Sequence, residues 1–212
     1  GSYEPSPVRR KEIPKPDGGV RKLGIPTVVD RVIQQGIAQK LQNIWEPLFS
    51  DSSYGYRPRR SGQQAIQKVK EYAEEGYRYA VSVDLSKYFD TLNHELLMNL
   101  LHRKIQDMRV LRIIKKYLKS GVMENGVVSK TEEGSPQGGP LSPLLANIYL
   151  NEFDWEMCGR GVKMVRYADD IVVFAKSKRA AERLLEFSRK YLEGKLKLKM
   201  NTEKSKVTSI FA

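Results

Sequence analysis

The order of elements in this sequence predicts an α+β fold. Strand-like and helix-like runs are interleaved along the chain, and its only hairpins are antiparallel, which favours α+β over a parallel doubly wound sheet. At 212 residues and 24.3 kDa the chain is long enough for one core or for two lobes sharing a cleft.

The elements follow from local chemistry. Lys15-Pro16-Asp17-Gly18-Gly19 reads as a tight turn between the extended arms Lys11–Pro14 and Val20–Ile25. Val28 to Ile44 has helical periodicity, with Val32, Ile33, Ile37, Leu41 and Ile44 on one face and Pro47 as its stop. Ser61-Gly62-Gln63-Gln64 is a capping box for a second helix, with Ala65, Val69 and Tyr72 on its apolar face and Gly76 at its end. Tyr77–Val83, rich in Tyr and Val, reads as a strand that runs into Asp84. Helices are expected from about Asn93 and from Val110 to Leu118, the latter ended by Ser120-Gly121; Gly126–Ser129 fits a strand or a loop. Gly134–Pro140 is a loop before an apolar helix from Ser142 to about Phe153. Val162–Ala168 and Ile171–Ala175 are strand-like and separated by Asp169-Asp170 alone. Ala180–Leu192 is an amphipathic helix, and Leu196–Lys206 a basic loop with short extended pieces.

Charge and composition narrow the partners. Lys and Arg number 37 against 25 acids, a net charge of +12 with a pI near 9.7, and a surface of that sign attracts polyanions. The first 60 residues hold 11 Lys and Arg against six acids. No apolar run is long enough to span a bilayer and no lipidation signal is visible, so no membrane partner is expected. Cys158 is the one cysteine, which excludes a disulfide framework and a cysteine-based zinc site and fits a reducing, intracellular setting. Gly1-Ser2 looks like a remnant of cloning.

Two places put an aspartate at the tip of an apolar strand. Asp84 ends Val81-Ser82-Val83, and Asp169-Asp170 stand between two strands. Taken alone, Asp-Asp is good turn chemistry and Asp84 a plausible helix cap. Gathered at one rim, however, the carboxylates would repel one another unless a cation sat between them. Magnesium suits such a site because it takes carboxylate and phosphate oxygens and keeps waters.

Tyr167-Ala168-Asp169-Asp170 resembles the catalytic tetrad of reverse transcriptases, in the form common among group II intron proteins. Val83–His94 resembles that family's first palm motif, and Gly134-Ser135-Pro136-Gln137-Gly138-Gly139-Pro140-Leu141-Ser142-Pro143 its Gln-Gly loop. The finger block Ile13–Pro26 and Tyr54-Gly55-Tyr56-Arg57-Pro58 match as well, so ordered matches run from about Arg9 to Lys206. A lone Tyr-x-Asp-Asp is a weak signal; five blocks in order are a strong one.

The resemblance implies a right-hand polymerase fold of fingers and palm without a thumb. Fingers would span 1–76 and 95–133, and palm 77–94 and 134–212. It implies Asp84, Asp169 and Asp170 as catalytic carboxylates, side by side and holding two Mg2+ ions, with Mn2+ as a substitute and the Leu85 carbonyl as a further ligand. Tyr88 would lie under the nucleotide sugar, although on sequence alone it reads equally as a core aromatic. Gln137 would sit beside the incoming nucleotide, Lys15 and Arg21 would hold its triphosphate, and Lys204 or Lys206 would lie near the leaving pyrophosphate; otherwise these are surface polar residues. His94 and His102 fit helix-start or surface positions. The implied activity is RNA-directed DNA polymerisation by two-metal nucleotidyl transfer. Expected partners are intron RNA and RNA template, a DNA primer or target, and dNTPs, with a homodimer also a candidate. The setting would be the bacterial cytoplasm, and the parent protein would assist splicing and mobility. A retron, diversity-generating or CRISPR-linked enzyme is the runner-up within the class, and a non-catalytic RNA-binding scaffold the alternative outside it. The family's thumb and flanking segments are absent from the sequence, which reads as an excised fragment.

Overall fold

The structure is a computed structural model that describes residues 3–14, 18–124, 126–129, 133–135 and 138–211. Two compact units emerge, residues 1–47 with 89–146 and residues 48–88 with 147–212, and both mix helix and strand.

The first unit contains a four-stranded sheet in the order β2-β1-β4-β5. β1 (Val8–Pro14) and β2 (Val20–Ile25) form the expected antiparallel hairpin, in register from Arg9↔Ile25 to Pro14↔Val20. Its turn residues 15–17 lie outside the described residues. β4 (Val122–Glu124) and β5 (Val127–Ser129) form a second hairpin, and β4 pairs parallel with β1. That parallel pairing was not expected: three-residue strands carry almost no period, and their partner lies more than 100 residues away.

Helix α1 (Val28–Trp45) has nearly the expected bounds, but a different face is buried. Asp30, Gln34, Leu41 and Trp45 face inward, while Val28, Val29 and Val32 are more than 60% exposed. Asp30 tolerates burial because it accepts hydrogen bonds from the Tyr3 and Thr27 hydroxyls, so polar satisfaction overrides apolar periodicity here. Helices α3 (His94–His102) and α4 (Met108–Lys119) start on the side-chain caps Asn93 and Asp107 and bury Leu97, Leu100, Leu101, Leu111, Ile114 and Leu118.

The second unit is built on an antiparallel sheet in the order β6-β7-β3-β8. Its strands are β3 (Tyr79–Val83), β6 (Met164–Tyr167), β7 (Asp170–Ala175) and β8 (Lys206–Ser209). On one face Val165 and Phe174 pack with Tyr54 and with Ala65 and Tyr72 of α2 (Gly62–Glu74), whose capping box forms as expected. The opposite face meets α5 (Ser142–Gly159), because Arg166 of β6 reaches Asp154 of that helix. Helix α6 (Lys178–Gly194) lies beside α5, with the Phe153 and Tyr191 rings 5.8 Å apart. From Leu144 to Met157, α5 buries Leu144, Leu145, Ile148, Tyr149, Leu150, Phe153 and Met157, as a helix apolar on all sides should.

The divisions between units fall at 47/48, 88/89 and 146/147. Helix α2 lies in the second unit, because its apolar face packs on the second sheet.

Candidate active site

All three aspartates come to one end of the second sheet. Strand β3 pairs antiparallel with β7, Val81 opposite Val173 and Val83 opposite Ile171. Extending that register by one residue sets Asp84 opposite Asp170. Val81, Val83, Ile171, Val173, Phe174 and Ala175 are buried, which fixes the strand ends, and the rim receives the carboxylates.

Asp84 is held by its backbone. Its N–H donates to the Ser205 hydroxyl at 3.0 Å, and its carbonyl accepts from the Asn201 N–H at 2.8 Å. The 201–205 turn that does this also contains Lys204, which is exposed, as is Lys206 opposite Ser82. Both lysines therefore flank the strand that carries Asp84. Leu85 is buried and forms an isolated bridge with Met200, whose two bonds come from the flanking Asp84 and Ser86.

On the other strand pair, Tyr167 lies opposite Asp170, so the hairpin loop is Ala168-Asp169 and Asp170 opens β7. The sequence suggested Asp169-Asp170 as the loop, one residue later. Ala168 has φ +58°, a left-handed conformation uncommon for a residue with a Cβ. Asp170 is partly exposed, and its carboxyl is held above the usual aspartate range, first by partial desolvation and then by the negative charges of Asp169 and Asp84. Three carboxylates thus feel one another at the rim.

Their donors are carboxylate oxygens, which hard divalent cations take. In type and location the residues fit such a cation. They do not stand as a closed ligand shell: among the described residues, no group of three or more His, Cys, Asp and Glu side chains is arranged to hold a metal ion.

The other expected site residues divide. Arg21 is exposed on β2. Lys15 and Gln137 lie outside the described residues. Tyr88 is only 2% exposed, and enclosure raises its hydroxyl pKa well above the ordinary value. His94 is buried at the start of α3, with Nε2 2.6 Å from the Gly134 carbonyl oxygen, in keeping with a helix-start role.

Sequence reasoning missed the support beneath the turn. Arg166, Asp154, Ser53 and Asn147 are all essentially inaccessible to solvent and hydrogen-bonded together. The signal is present only in part, as a lone positive charge inside the otherwise apolar run Met164–Ala168; Asp154 stands between Glu152 and Glu156, and nothing local singles it out. Gly55 was noted only as part of a block. A Cβ there would lie 2.2 Å from the Ala168 backbone nitrogen, so only glycine admits the turn.

The chain is similar to several known proteins. Protein YkfC of Escherichia coli (strain K12) is 38% identical over 248 aligned residues, covering 99% of this chain and 65% of YkfC. The group II intron-encoded protein LtrA of Lactococcus lactis subsp. cremoris is 46% identical over 156 residues, covering 73% of this chain and 26% of LtrA. The chain therefore spans less than two thirds of either relative. Among solved structures, telomerase from Candida albicans in complex with a fragment of telomeric RNA superposes with a TM-score of 0.72 over 99% of this chain and 42% of its own. At 14% identity that likeness shows the fold alone, a right-hand polymerase arrangement of mixed helix and antiparallel sheet. The family described as reverse transcriptase (RNA-dependent DNA polymerase) matches residues 13–210, nearly the whole chain. With its aspartates on one sheet rim and its relatives among group II intron-encoded proteins, the chain belongs to the reverse transcriptase family.

Proposed function

We propose that this chain is the polymerising core of an RNA-directed DNA polymerase of the group II intron type, which extends a DNA primer on an RNA template from dNTPs. The observation that carries the reading is the register that sets Asp84 opposite Asp170 and beside the Asp169 turn. Asp84, Asp169 and Asp170 would hold two Mg2+ ions, with Mn2+ as a substitute and the Leu85 carbonyl as a further ligand. Bound there, such ions neutralise charge on the reacting phosphate and favour ionisation of the attacking hydroxyl.

The protein's own part is positioning. Buried strands hold Asp84 and Asp170 at fixed separation, and the 201–205 turn fixes the backbone of Asp84. Arg21 offers phosphate a planar fork and Lys15 a point charge, while Gln137 would contact the incoming nucleotide. Lys204 is the lysine we assign to the leaving pyrophosphate, because its turn binds Asp84 directly. The intron type is favoured over retron, diversity-generating or CRISPR-linked enzymes by the identity to LtrA. By the same reasoning the full-length protein would bind intron RNA and assist splicing and mobility.

RNA-templated primer extension tests the reading. The full-length protein should extend a DNA primer with dNTPs when Mg2+ or Mn2+ is present and stop when it is chelated. RNA binding without cation-dependent extension would leave only a scaffold.

A further inference from the structure

The buried network under the Ala168-Asp169 turn asks for an explanation that stability does not supply. Arg166 is completely enclosed, and all five of its N–H donors are used. Nε donates to Asp154 Oδ1 at 2.8 Å, and Nη2 donates to Asp154 Oδ2 at 2.5 Å and to Ser53 Oγ at 2.9 Å. Nη1 donates to Asn147 Oδ1 and to the Ala168 carbonyl, both at 2.8 Å. Ala168 immediately precedes Asp169. Burying an ion pair costs desolvation that its attraction seldom exceeds, so well-packed apolar residues would stabilise this spot as well or better. A planar guanidinium instead supplies direction, with each donor fixed relative to the others.

Asn147 extends the same constraint to the turn's other side. Its Oδ1 accepts from Arg166, and its Nδ2 donates to the Gly55 carbonyl at 2.8 Å. Gly55 in turn lies flat against the Ala168 amide, where no Cβ fits. The residues before it are tied to β6: Tyr54 N–H donates to the Arg166 carbonyl and Arg166 N–H to the Ser52 carbonyl. The left-handed Ala168 is thus held at its carbonyl by a hydrogen bond from Arg166 and packed at its amide against the Gly55 backbone. Asn147 joins the two contacts.

We propose that Arg166 and Asn147 are positioning residues that fix the Ala168-Asp169 turn, and through it the place of the Asp169 carboxylate relative to Asp84 and Asp170. The role rests on the reading of Asp169 as a cation-holding catalytic carboxylate. Neither residue touches the reacting atoms; both act through the backbone of the turn.

Asn147→Leu tests this, since it keeps the branched shape of the side chain and the Arg166–Asp154 pair but removes both the acceptor for Arg166 Nη1 and the donor to Gly55. Three readouts are needed: melting temperature in chelator, Mn2+ affinity by electron paramagnetic resonance, and kcat with KM in RNA-templated primer extension. The expected result is a folded protein with Mn2+ affinity weakened by roughly tenfold or more. Its kcat should fall by about ten- to a hundredfold, with KM for the primer–template unchanged. Arg166→Lys keeps a charge beside Asp154 but cannot reach Asn147 and Ala168 together, and should give the same pattern. A purely structural network would lower melting temperature while leaving Mn2+ affinity and kcat per folded molecule unchanged, and that outcome overturns the proposal. Wild-type protein whose Mn2+ binding is indifferent to Asp169→Asn would overturn the catalytic reading itself, and the positioning role with it.

Discussion

Asp170 shows what crowding carboxylates at a sheet rim does to a single group. Its pKa is raised by partial desolvation and by Asp169 and Asp84, so the folded protein binds that proton more tightly than the unfolded chain, whose aspartates titrate near ~3.9. The sign follows from linkage. Stability from this group is fully present below the unfolded pKa and is lost as pH rises through the folded pKa. In chelated buffer at pH 7, Asp170→Asn should therefore raise the melting temperature, and the gain should vanish below about pH 4, where Asp170 is protonated in both states. A melting temperature unchanged at pH 7 would mean that the three carboxylates do not repel one another. Tyr88 is legible in the sequence as a place in a motif, while its 2% exposure is set by what packs around it, which no motif records.

Between elements, the decisive contact joins β6 to α5 through Arg166 and Asp154. Removing either partner alone strands a buried charge, so Arg166→Met or Asp154→Leu should each destabilise the fold by about 3–5 kcal/mol in urea unfolding. The double change leaves no charge behind and should recover most of that loss. Full additivity of the two losses would show that they are not coupled. Much of this level was legible in the sequence. Capping residues and apolar period set α2, α3 and α6 within about two residues, because those signals are local, whereas α5 runs six residues past its expected end at Phe153. Hairpin spacing gave β1–β2 and β6–β7 for the same reason. The β1–β4 pairing and the inward face of α1 were not legible, since each depends on partners distant in the chain. The rim of aspartates was readable because strand ends and a short turn advertise it. The network beneath it was not, because Ser53, Asn147, Asp154 and Arg166 meet only when the chain is folded.

For the whole molecule, the charge of +12 is the property that acts at longest range. Lys and Arg that neutralise phosphates release counterions, so log affinity for RNA should fall roughly linearly with log salt and show little sequence preference. Affinity that is flat between low and physiological salt would make the charge a solubility feature. No helix among the described residues is long and apolar enough to cross a membrane. The catalytic reading makes a sharper demand, because it treats Asp84 and Asp169, 85 positions apart in the chain, as one device. Asp84→Asn and Asp169→Asn keep side-chain size and remove one charge each. Primer-extension rates in Mg2+ should fall roughly a thousandfold for either change, the equivalent of about 4 kcal/mol. Residues that act as a unit lose little more when both are changed, so the double variant should stay near the same thousandfold loss. A folded Asp169→Asn protein that copies RNA into DNA at a near-normal rate, or a double variant whose loss is the product of the single losses, would contradict the account.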